Sequence, residues 1–205
     1  MNLQNKVAIV TGGGAGIGRA IALDLASHGA EVIVVDRRES DTVIDEIKIM
    51  GRRALAVQAD VAVFAQAQNA VAAATANFGR LDILINNAGI NRDGVVWKMT
   101  EEQWDAVIDV NLKGFFNYNK AAAILFKDQK YGKIVNISSI NGLRGKFGPT
   151  ASASRRFLPA GHFFVNGFDG SLFSGVRRQI IIHFAIQAIA GANFNGVKTI
   201  KNIKF

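Results

Sequence analysis

The chain has 205 residues, of which 49% are hydrophobic and 20% charged, a balance typical of a globular protein with a sizeable core. This composition excludes collagen-like, disordered and disulfide-stapled classes, and the absence of cysteine excludes a thiolate nucleophile or a cysteine metal site. The net charge of +8 is uneven, since residues 1–148 carry 17 basic and 15 acidic side chains and residues 149–205 carry 7 and 1. Overall charge therefore does not favour a nucleic-acid partner.

Short runs of branched apolar residues alternate with helix-length segments in the first part of the chain, as in strands buried on both faces. The predicted strands are residues 6–11, 31–36, 54–60, 81–86 and 133–138, and the predicted helices are 16–28, 41–50, 64–78 and 101 to about 126. A glycine follows each of the first three helices. Thr100 and Gln103 predict a capping box at the start of the fourth.

Successive strand–helix units of this kind predict an α/β fold with a doubly wound parallel sheet, Rossmann-like, because crossovers between parallel strands are right-handed. We expect a single domain in which residues 1–148 form a dinucleotide-binding core. Residues 149–205 are an atypical basic tail with 8 of the 14 phenylalanines and no sustained period. The start of the chain lacks a signal-peptide pattern and no run is long enough to span a bilayer, so we expect a cytoplasmic protein with no membrane partner.

A glycine-rich turn lies between the first strand and the first helix. Side-chain-free positions let the backbone approach a pyrophosphate, and the helix N-terminus offers its N–H groups to the anion. The alternative is a flexible turn with no ligand. The candidate cofactor-binding residues in this turn are Gly12, Gly14, Gly16, Ile17 and Gly18.

Asp36 ends the second predicted strand, close to the roughly 20-residue spacing expected for a carboxylate that binds the adenosine ribose. This favours NAD(H), since a 2′-phosphate would meet a like charge. Arg37 and Arg38 leave NADP(H) open, because a guanidinium can bind that phosphate. Both arginines are equally consistent with a solvated loop.

Further motifs follow the later strands, and together with the glycine turn they resemble the short-chain dehydrogenase/reductase family over residues 1–148. Residues 86–116 and 140–148 most resemble 3-oxoacyl-acyl-carrier-protein reductases and acetoacetyl-CoA reductases. The motifs are Asp60-Val61, Asn86-Asn87-Ala88-Gly89, Asn111 within 109–114, and Asn136-Ile137-Ser138-Ser139.

The resemblance implies a role for each of these positions. Asp60 and Val61 contact the adenine, and Asn87 and Gly89 shape the wall of the cofactor site. The implied catalytic residues are Asn111, which holds a water in a proton relay, and Ser139, which binds the substrate carbonyl. Hydride addition to a ketone leaves an alkoxide, which needs a hydrogen-bond donor and a proton source. By themselves, the serine could pair a strand-end carbonyl and the asparagine could face water.

The resemblance further implies hydride transfer between NAD(P)H and a ketone or 3-oxoacyl thioester, as in fatty acid biosynthesis, with no metal. The implied partners are coenzyme A or an acyl carrier protein, and a second copy of the chain in a dimer or tetramer built partly on helices in the 100–127 stretch. Lys127, Lys130 and Lys133 are candidate contacts for an acidic carrier, although cations there also complement a helix C-terminus.

The chain departs from the family pattern at the proton donor, a Tyr-x-x-x-Lys about thirteen residues beyond the serine that activates a phenol. Ser152 and Arg156 stand at those positions, and no Tyr-x-x-x-Lys occurs in the chain. We therefore expect very low turnover. The alternative hypotheses are a dinucleotide-binding pseudoenzyme, a product of a reading-frame change near Arg155, and a protein whose basic tail binds acidic surfaces.

Overall fold

Six strands form one sheet in the computed structural model, which describes residues 2–92 and 94–137 and the backbone of residues 164–166. The sheet order is β3-β2-β1-β4-β5-β6, with the first five strands parallel and β6 antiparallel to β5. This confirms the predicted doubly wound sheet. The strands are β1 (Val7–Thr11), β2 (Glu31–Asp36), β3 (Ala54–Gln58), β4 (Ile83–Asn86), β5 (Gly132–Asn136) and β6 (Phe164–Asn166).

The helices cover both faces of this sheet. They are α1 (Gly16–Ser27), α2 (Asp41–Ile49), α3 (Phe64–Phe78), α4 (Glu101–Ile108) and α5 (Gly114–Gln129), with a short 3₁₀ turn at Val96–Lys98. The predicted long helix from Glu101 is confirmed and extends to Gln129, with a π-helical segment at Asp109–Lys113 between α4 and α5. The predicted capping box is present, with the Gln103 N–H donating to Thr100 Oγ1 at 3.3 Å and the Thr100 N–H to Gln103 Oε1 at 3.2 Å.

The core lies in two layers, one on each face of the sheet. Alternate residues of β1 point to opposite layers, so Ala8 and Val10 pack under α1 and α2 while Val7 and Ile9 pack under α3 and α5. All five residues of β1 are buried. This explains the continuous apolar runs in the sequence, since each apolar side chain fully buried contributes about 1.5–3 kcal/mol.

The ends of the helices follow the glycine pattern with one exception. Gly29, Gly51 and Gly79 have φ angles of 103°, 75° and 77°, the left-handed turn expected after α1, α2 and α3. At the end of α5 the same conformation is adopted by Lys130, with a φ of 53°. The end of α5 is the helix end that the sequence predicted least accurately, and no glycine lies at its left-handed turn.

The predicted boundary near residue 149 and the patterns of the tail lie outside the described residues. The exception is β6, whose backbone pairs with residues 132–134 of β5 and which the sequence pattern did not predict. Among the described helices, none combines the length and the apolar character that a membrane span requires.

Candidate functional site

The glycine turn connects β1 to α1 at the carboxyl-terminal edge of the sheet. Gly12 and Gly16 have φ angles of 62° and 56°, a conformation that side chains disfavour. A Cβ on Gly18 would lie 2.0 Å from the Gly12 carbonyl oxygen and 2.5 Å from Asn87 Nδ2. The first turn of α1 therefore packs directly on the backbone of the turn, which only glycine permits.

The N-terminus of α1 is open to an anion, unlike that of α4. Ala15 precedes α1 in an extended conformation and has no side-chain oxygen with which to cap the first N–H groups, whereas Thr100 caps α4. Ile17 is half-buried and packs against the core layer beneath α1. The start of α1 thus presents uncapped N–H groups and the positive end of the helix dipole, and packing of Ile17 on the core holds it in place.

Asp36, the last residue of β2, is fixed beside this turn by two backbone donors. The Gly14 N–H donates to its Oδ2 at 3.1 Å, and the Arg38 N–H donates to its Oδ1 at 3.2 Å. A Cβ on Gly14 would lie 3.1 Å from that Oδ2 and 2.7 Å from the buried Ser40 Oγ. The glycine therefore lets a half-buried carboxylate lie directly against the glycine turn.

Arg37 extends towards the end of β3. Its Nη1 is 4.0 Å from Asp60 Oδ2, and Gln58 Nε2 donates to its carbonyl oxygen at 3.0 Å. Asp60 Oδ1 accepts the Ala62 N–H at 2.9 Å, which shapes the turn around the buried Val61. This arginine is exposed, so the ion pair with Asp60 is solvent-screened and serves to orient rather than to stabilise.

Thr11 connects β1 to the segment after β4, a role that sequence reasoning missed. Its Oγ1 accepts the N–H groups of Asn87 at 3.0 Å and Ala88 at 3.1 Å and donates to the Ile85 carbonyl at 3.3 Å. Asn87 Nδ2 donates back to the carbonyls of Thr11 at 3.0 Å and Gly12 at 3.2 Å. A hydroxyl at the end of a strand, just before a glycine run, is the signal that marks such a position. Gly89 lies exposed beyond this junction.

A second polar junction joins β4, β5 and α5. Asn86 Nδ2 donates to Asn119 Oδ1 at 2.6 Å and to Asn136 Oδ1 at 2.8 Å. Asn86 is fully buried, and its Oδ1 has no hydrogen-bond partner in the part of the chain that the structure describes. The first asparagine of the Asn86-Asn87 pair therefore holds the strands together, while the second holds the glycine turn.

Asn111 lies in the π-helical segment and is buried, with an exposure of 1%. Its Oδ1 accepts the Ile90 N–H at 2.8 Å and its Nδ2 donates to the Ile90 carbonyl at 2.9 Å. The alternative of a solvent-facing helix residue is therefore wrong. The widened π turn is a frequent feature of functional sites. Here it contains Asn111, whose two hydrogen bonds hold Ile90 in the segment that follows β4.

The two tyrosines of the chain lie in the core and at the amino-terminal edge of the sheet. Tyr118 is fully buried in the layer under α3 and α5, and its hydroxyl has no hydrogen-bond partner among the described residues. Burial, together with the charge of Asp60, raises the pKa of the Tyr118 phenol. Tyr131 precedes β5 at the opposite edge, where Lys6 Nζ lies 4.3 Å from its ring centroid. Tyr118 is therefore a core residue, and Tyr131 belongs to the opposite edge of the sheet.

The structure brings almost all the predicted site residues to one edge of the sheet. Of the predicted site residues, Ser139 lies outside the described residues. Ser152 and Arg156, which stand at the family's tyrosine and lysine positions, lie outside them too. The residues gathered there after β1, β2, β3 and β4 and in the π turn are Gly12, Gly14, Gly16, Ile17, Gly18, Asp36, Asp60, Val61, Asn87, Gly89 and Asn111.

Known proteins resemble this chain in sequence and in fold. It is 44% identical over 160 residues to the short-chain reductase protein NovJ of Streptomyces niveus, covering 77% of this chain and 61% of that protein. It is 42% identical over 148 residues to the 3-oxoacyl-acyl-carrier-protein reductase FabG of Staphylococcus aureus, covering 71% and 60%. A crystal structure of a short chain dehydrogenase from Mycobacterium avium matches with a TM-score of 0.73 and 37% identity, covering 77% of this chain and 60% of that one.

The chain spans about three fifths of the length of these relatives. The family model described as short chain dehydrogenase matches residues 6–159, which is more than half of the chain. The agreement between this match, the parallel sheet and the glycine turn shows that the chain belongs to the short-chain dehydrogenase family.

Proposed function

We propose that the chain binds a nicotinamide dinucleotide along the carboxyl-terminal edge of the sheet. The observation that supports this most strongly is the turn at the N-terminus of α1, where glycines at positive φ lead into an uncapped helix. The turn would hold the pyrophosphate, Asp36 the adenosine ribose and Asp60-Val61 the adenine, with Asn87 and Gly89 beside the nicotinamide.

We propose NAD(H) rather than NADP(H) as the cofactor. The Asp36 carboxylate is held by the N–H groups of Gly14 and Arg38, so its negative charge is fixed where a 2′-phosphate would have to lie. Arg37, the residue best placed to neutralise that phosphate, pairs with Asp60 instead. The ribose 2′-hydroxyl, in contrast, is a good donor to a fixed carboxylate.

Calorimetric titration of the full chain with NADH and with NADPH tests this proposal. We expect NADH to bind at least about tenfold more tightly, equivalent to about 1.4 kcal/mol. Asp36→Asn should reduce the preference, because it removes the charge while keeping the shape. Glu39→Gln is the matched control, since Glu39 is an exposed acid three residues along the same loop. Tighter binding of NADPH by the wild-type chain would contradict the assignment.

We propose a 3-oxoacyl thioester or a related ketone as the substrate class, with coenzyme A or an acyl carrier protein as the carrier. The support is the similarity to a 3-oxoacyl-acyl-carrier-protein reductase over 71% of this chain. When bound, the cofactor supplies hydride chemistry. In this chain Asn111 would hold the Ile90 segment beside the nicotinamide, and Ser139 would donate a hydrogen bond to the substrate carbonyl. The cytoplasmic location expected from the sequence belongs to the same proposal.

A catalytically inactive dinucleotide-binding protein is the second candidate function. Its support is the absence of a Tyr-x-x-x-Lys from the sequence, with one tyrosine buried in the core and the other at the opposite edge of the sheet. Loss of a general acid costs about 10²–10⁴-fold in rate.

Absorbance of NADH in the presence of acetoacetyl-CoA separates the two candidates. Thermal stabilisation by NADH without measurable oxidation identifies the binding protein, and slow oxidation identifies an impaired reductase.

Sequencing the coding DNA tests the reading-frame hypothesis, which fails if no alternative frame beyond residue 154 restores a family-like sequence.

We propose that the chain forms a dimer through the outer face of α4 and α5, in line with the expectation of a homo-oligomer. Phe116 and Ile124 are 59% and 62% exposed on α5, beside a surface cavity of about 680 Å³. Acidic residues predominate on α4 and basic residues on α5, so two copies related by a twofold axis can pair these helices with opposite charge. Sedimentation of Ile124→Glu should show a monomer where the wild-type chain is dimeric, and an unchanged mass would contradict the proposal. The charged residues of α4 are Glu101, Glu102 and Asp105, and those of α5 are Lys120, Lys127 and Asp128.

A further inference from the structure

Two buried asparagines each hold a different loop of the candidate site, one from the π-helical segment and one from the first turn of α5. Asn111 makes paired hydrogen bonds to Ile90, in the segment that follows β4. Asn117, with an exposure of 2%, donates from Nδ2 to the Val61 carbonyl oxygen at 2.9 Å, in the loop that follows β3. The two loops lie on opposite sides of the sheet centre, since β3 is an outer strand and β4 adjoins β1.

The contact between α5 and the loop after β3 is close as well as polar. A Cβ on Gly114 would lie 2.8 Å from Val61 Cγ2 and 3.1 Å from Val61 Cβ. Val61 is itself buried, so it has little room to retreat. Gly114 thus allows the helix to approach the loop, and the Asn117 amide holds the loop by the Val61 carbonyl.

From this geometry we infer that Asn117 is a positioning residue for the adenosine half of the cofactor, acting through the backbone of Val61. The inference rests on the proposed function, because Asp60 and Val61 are placed at the adenine only there. Without the Asn117 amide, the Val61 carbonyl is a buried acceptor without a partner, and the loop shifts to satisfy it. A ligand that needs the original loop then binds more weakly in proportion to the population that remains competent.

The test compares the affinities of the full-length chain for NADH and for ADP-ribose, which lacks the nicotinamide. Asn117→Ala should weaken both ligands by the same factor, about tenfold, since the defect lies in the half that they share. Asn111→Ala should weaken NADH and leave ADP-ribose within about twofold of wild type, because Ile90 lies on the nicotinamide side. A merely destabilised protein would not separate the two ligands in this way.

Asn77→Ala is the matched control. Its amide also donates to a backbone carbonyl, that of Ala73 at 2.9 Å, but it is exposed near the end of α3. Gly114→Ala gives an independent test if Asn117→Ala does not fold. Alanine favours the helix but its methyl group collides with Val61, so ADP-ribose affinity should fall without loss of helix stability.

The outcomes distinguish this inference from the proposal on which it rests. If wild type binds ADP-ribose and both Asn117→Ala and Gly114→Ala bind it equally well, Asn117 does not position the adenosine loop. If the folded wild-type chain binds neither ADP-ribose nor NADH, the proposed cofactor function fails, and the inference fails with it.

Discussion

The two edges of the parallel sheet use polar groups in opposite ways. At the amino-terminal edge, the buried Asp82 carboxylate accepts the Val7 N–H at 3.0 Å and three side-chain donors. These are Arg80 Nε at 2.8 Å, Arg80 Nη2 at 2.6 Å and Lys6 Nζ at 3.4 Å. At the carboxyl-terminal edge, neutral side chains such as Thr11 and Asn87 pair mainly with backbone, and the donors at the start of α1 stay open.

This difference distinguishes the amino-terminal edge, which is closed by internal pairs, from the edge where we propose that the cofactor binds. Charges at the amino-terminal edge are satisfied within the protein, and burial beside Lys6 lowers the pKa of Lys133 there. At the other edge, the asparagines and Thr11 satisfy the backbone, while the first N–H groups of α1 have no side-chain cap and the Asp36 carboxylate is only half-buried. A ligand therefore finds unused hydrogen-bonding capacity at only one of these two edges, as far as the described residues extend.

The largest effect on stability is expected at the amino-terminal edge, for Asp82→Ala. The substitution leaves the buried Val7 N–H without its acceptor, at a cost of about 1–3 kcal/mol. Loss of the ion pairs adds less, because Lys6 and Arg80 are partly exposed and their charges stay solvated. Urea unfolding measures this as a lower midpoint. NADH affinity of the protein that remains folded should be unchanged, and a parallel loss of affinity would show that the two edges are not independent.

Gly18→Ala should have the largest effect on cofactor affinity. The added methyl would lie 2.0 Å from the Gly12 carbonyl oxygen, so the turn must open, and NADH should bind about a hundredfold more weakly. Gly16→Ala is the comparison variant, since the space around that position is open and only the positive φ opposes alanine. We expect a smaller loss there by calorimetry, and equal losses would rule out close packing as the cause.

Thr11→Val tests the junction at the carboxyl-terminal edge. Valine keeps the shape of threonine but leaves the N–H groups of Asn87 and Ala88 without their acceptor, at a cost of about 2 kcal/mol. Thr11→Ser keeps the hydroxyl and should retain most of the stability in urea unfolding. If valine proves as stable as threonine, these hydrogen bonds do not hold the loop.

Tyr118→Phe should give the smallest change, and in the opposite direction. Removing a fully buried hydroxyl without a partner should stabilise the protein by about 1 kcal/mol at neutral pH.

The effect of this substitution depends on pH. The folded-state pKa of Tyr118 is raised above its ordinary value of 10.0, so the unfolded chain loses the proton first, and wild-type stability falls as pH rises beyond that value. The variant should lose less stability over this range in urea unfolding. Identical alkaline profiles would show that Tyr118 does not contribute to the transition.

The sequence predicted the elements of the sheet well because each buried parallel strand needs a continuous apolar run. The bounds of β2 and α3 agree with the prediction, and the glycine turn lies where the pattern placed it. The π-helical segment was not predicted, since one extra residue in a turn leaves the apolar pattern of 101–126 nearly unchanged. Asn117 went unnoticed for a similar reason, because a buried amide in a helix has no short-range signature.

Sequence by itself determined the order of strands and helices, the glycine turn and the absence of a Tyr-x-x-x-Lys, all of which depend on neighbouring residues. Only the tertiary structure decided which groups meet across the sheet. It placed Asp36 against Gly14, Thr11 against Asn87 and Asn117 against Val61, and it buried Tyr118 in the core. Such pairings join residues far apart in the chain, and they are set by how the strands and helices pack rather than by local propensity.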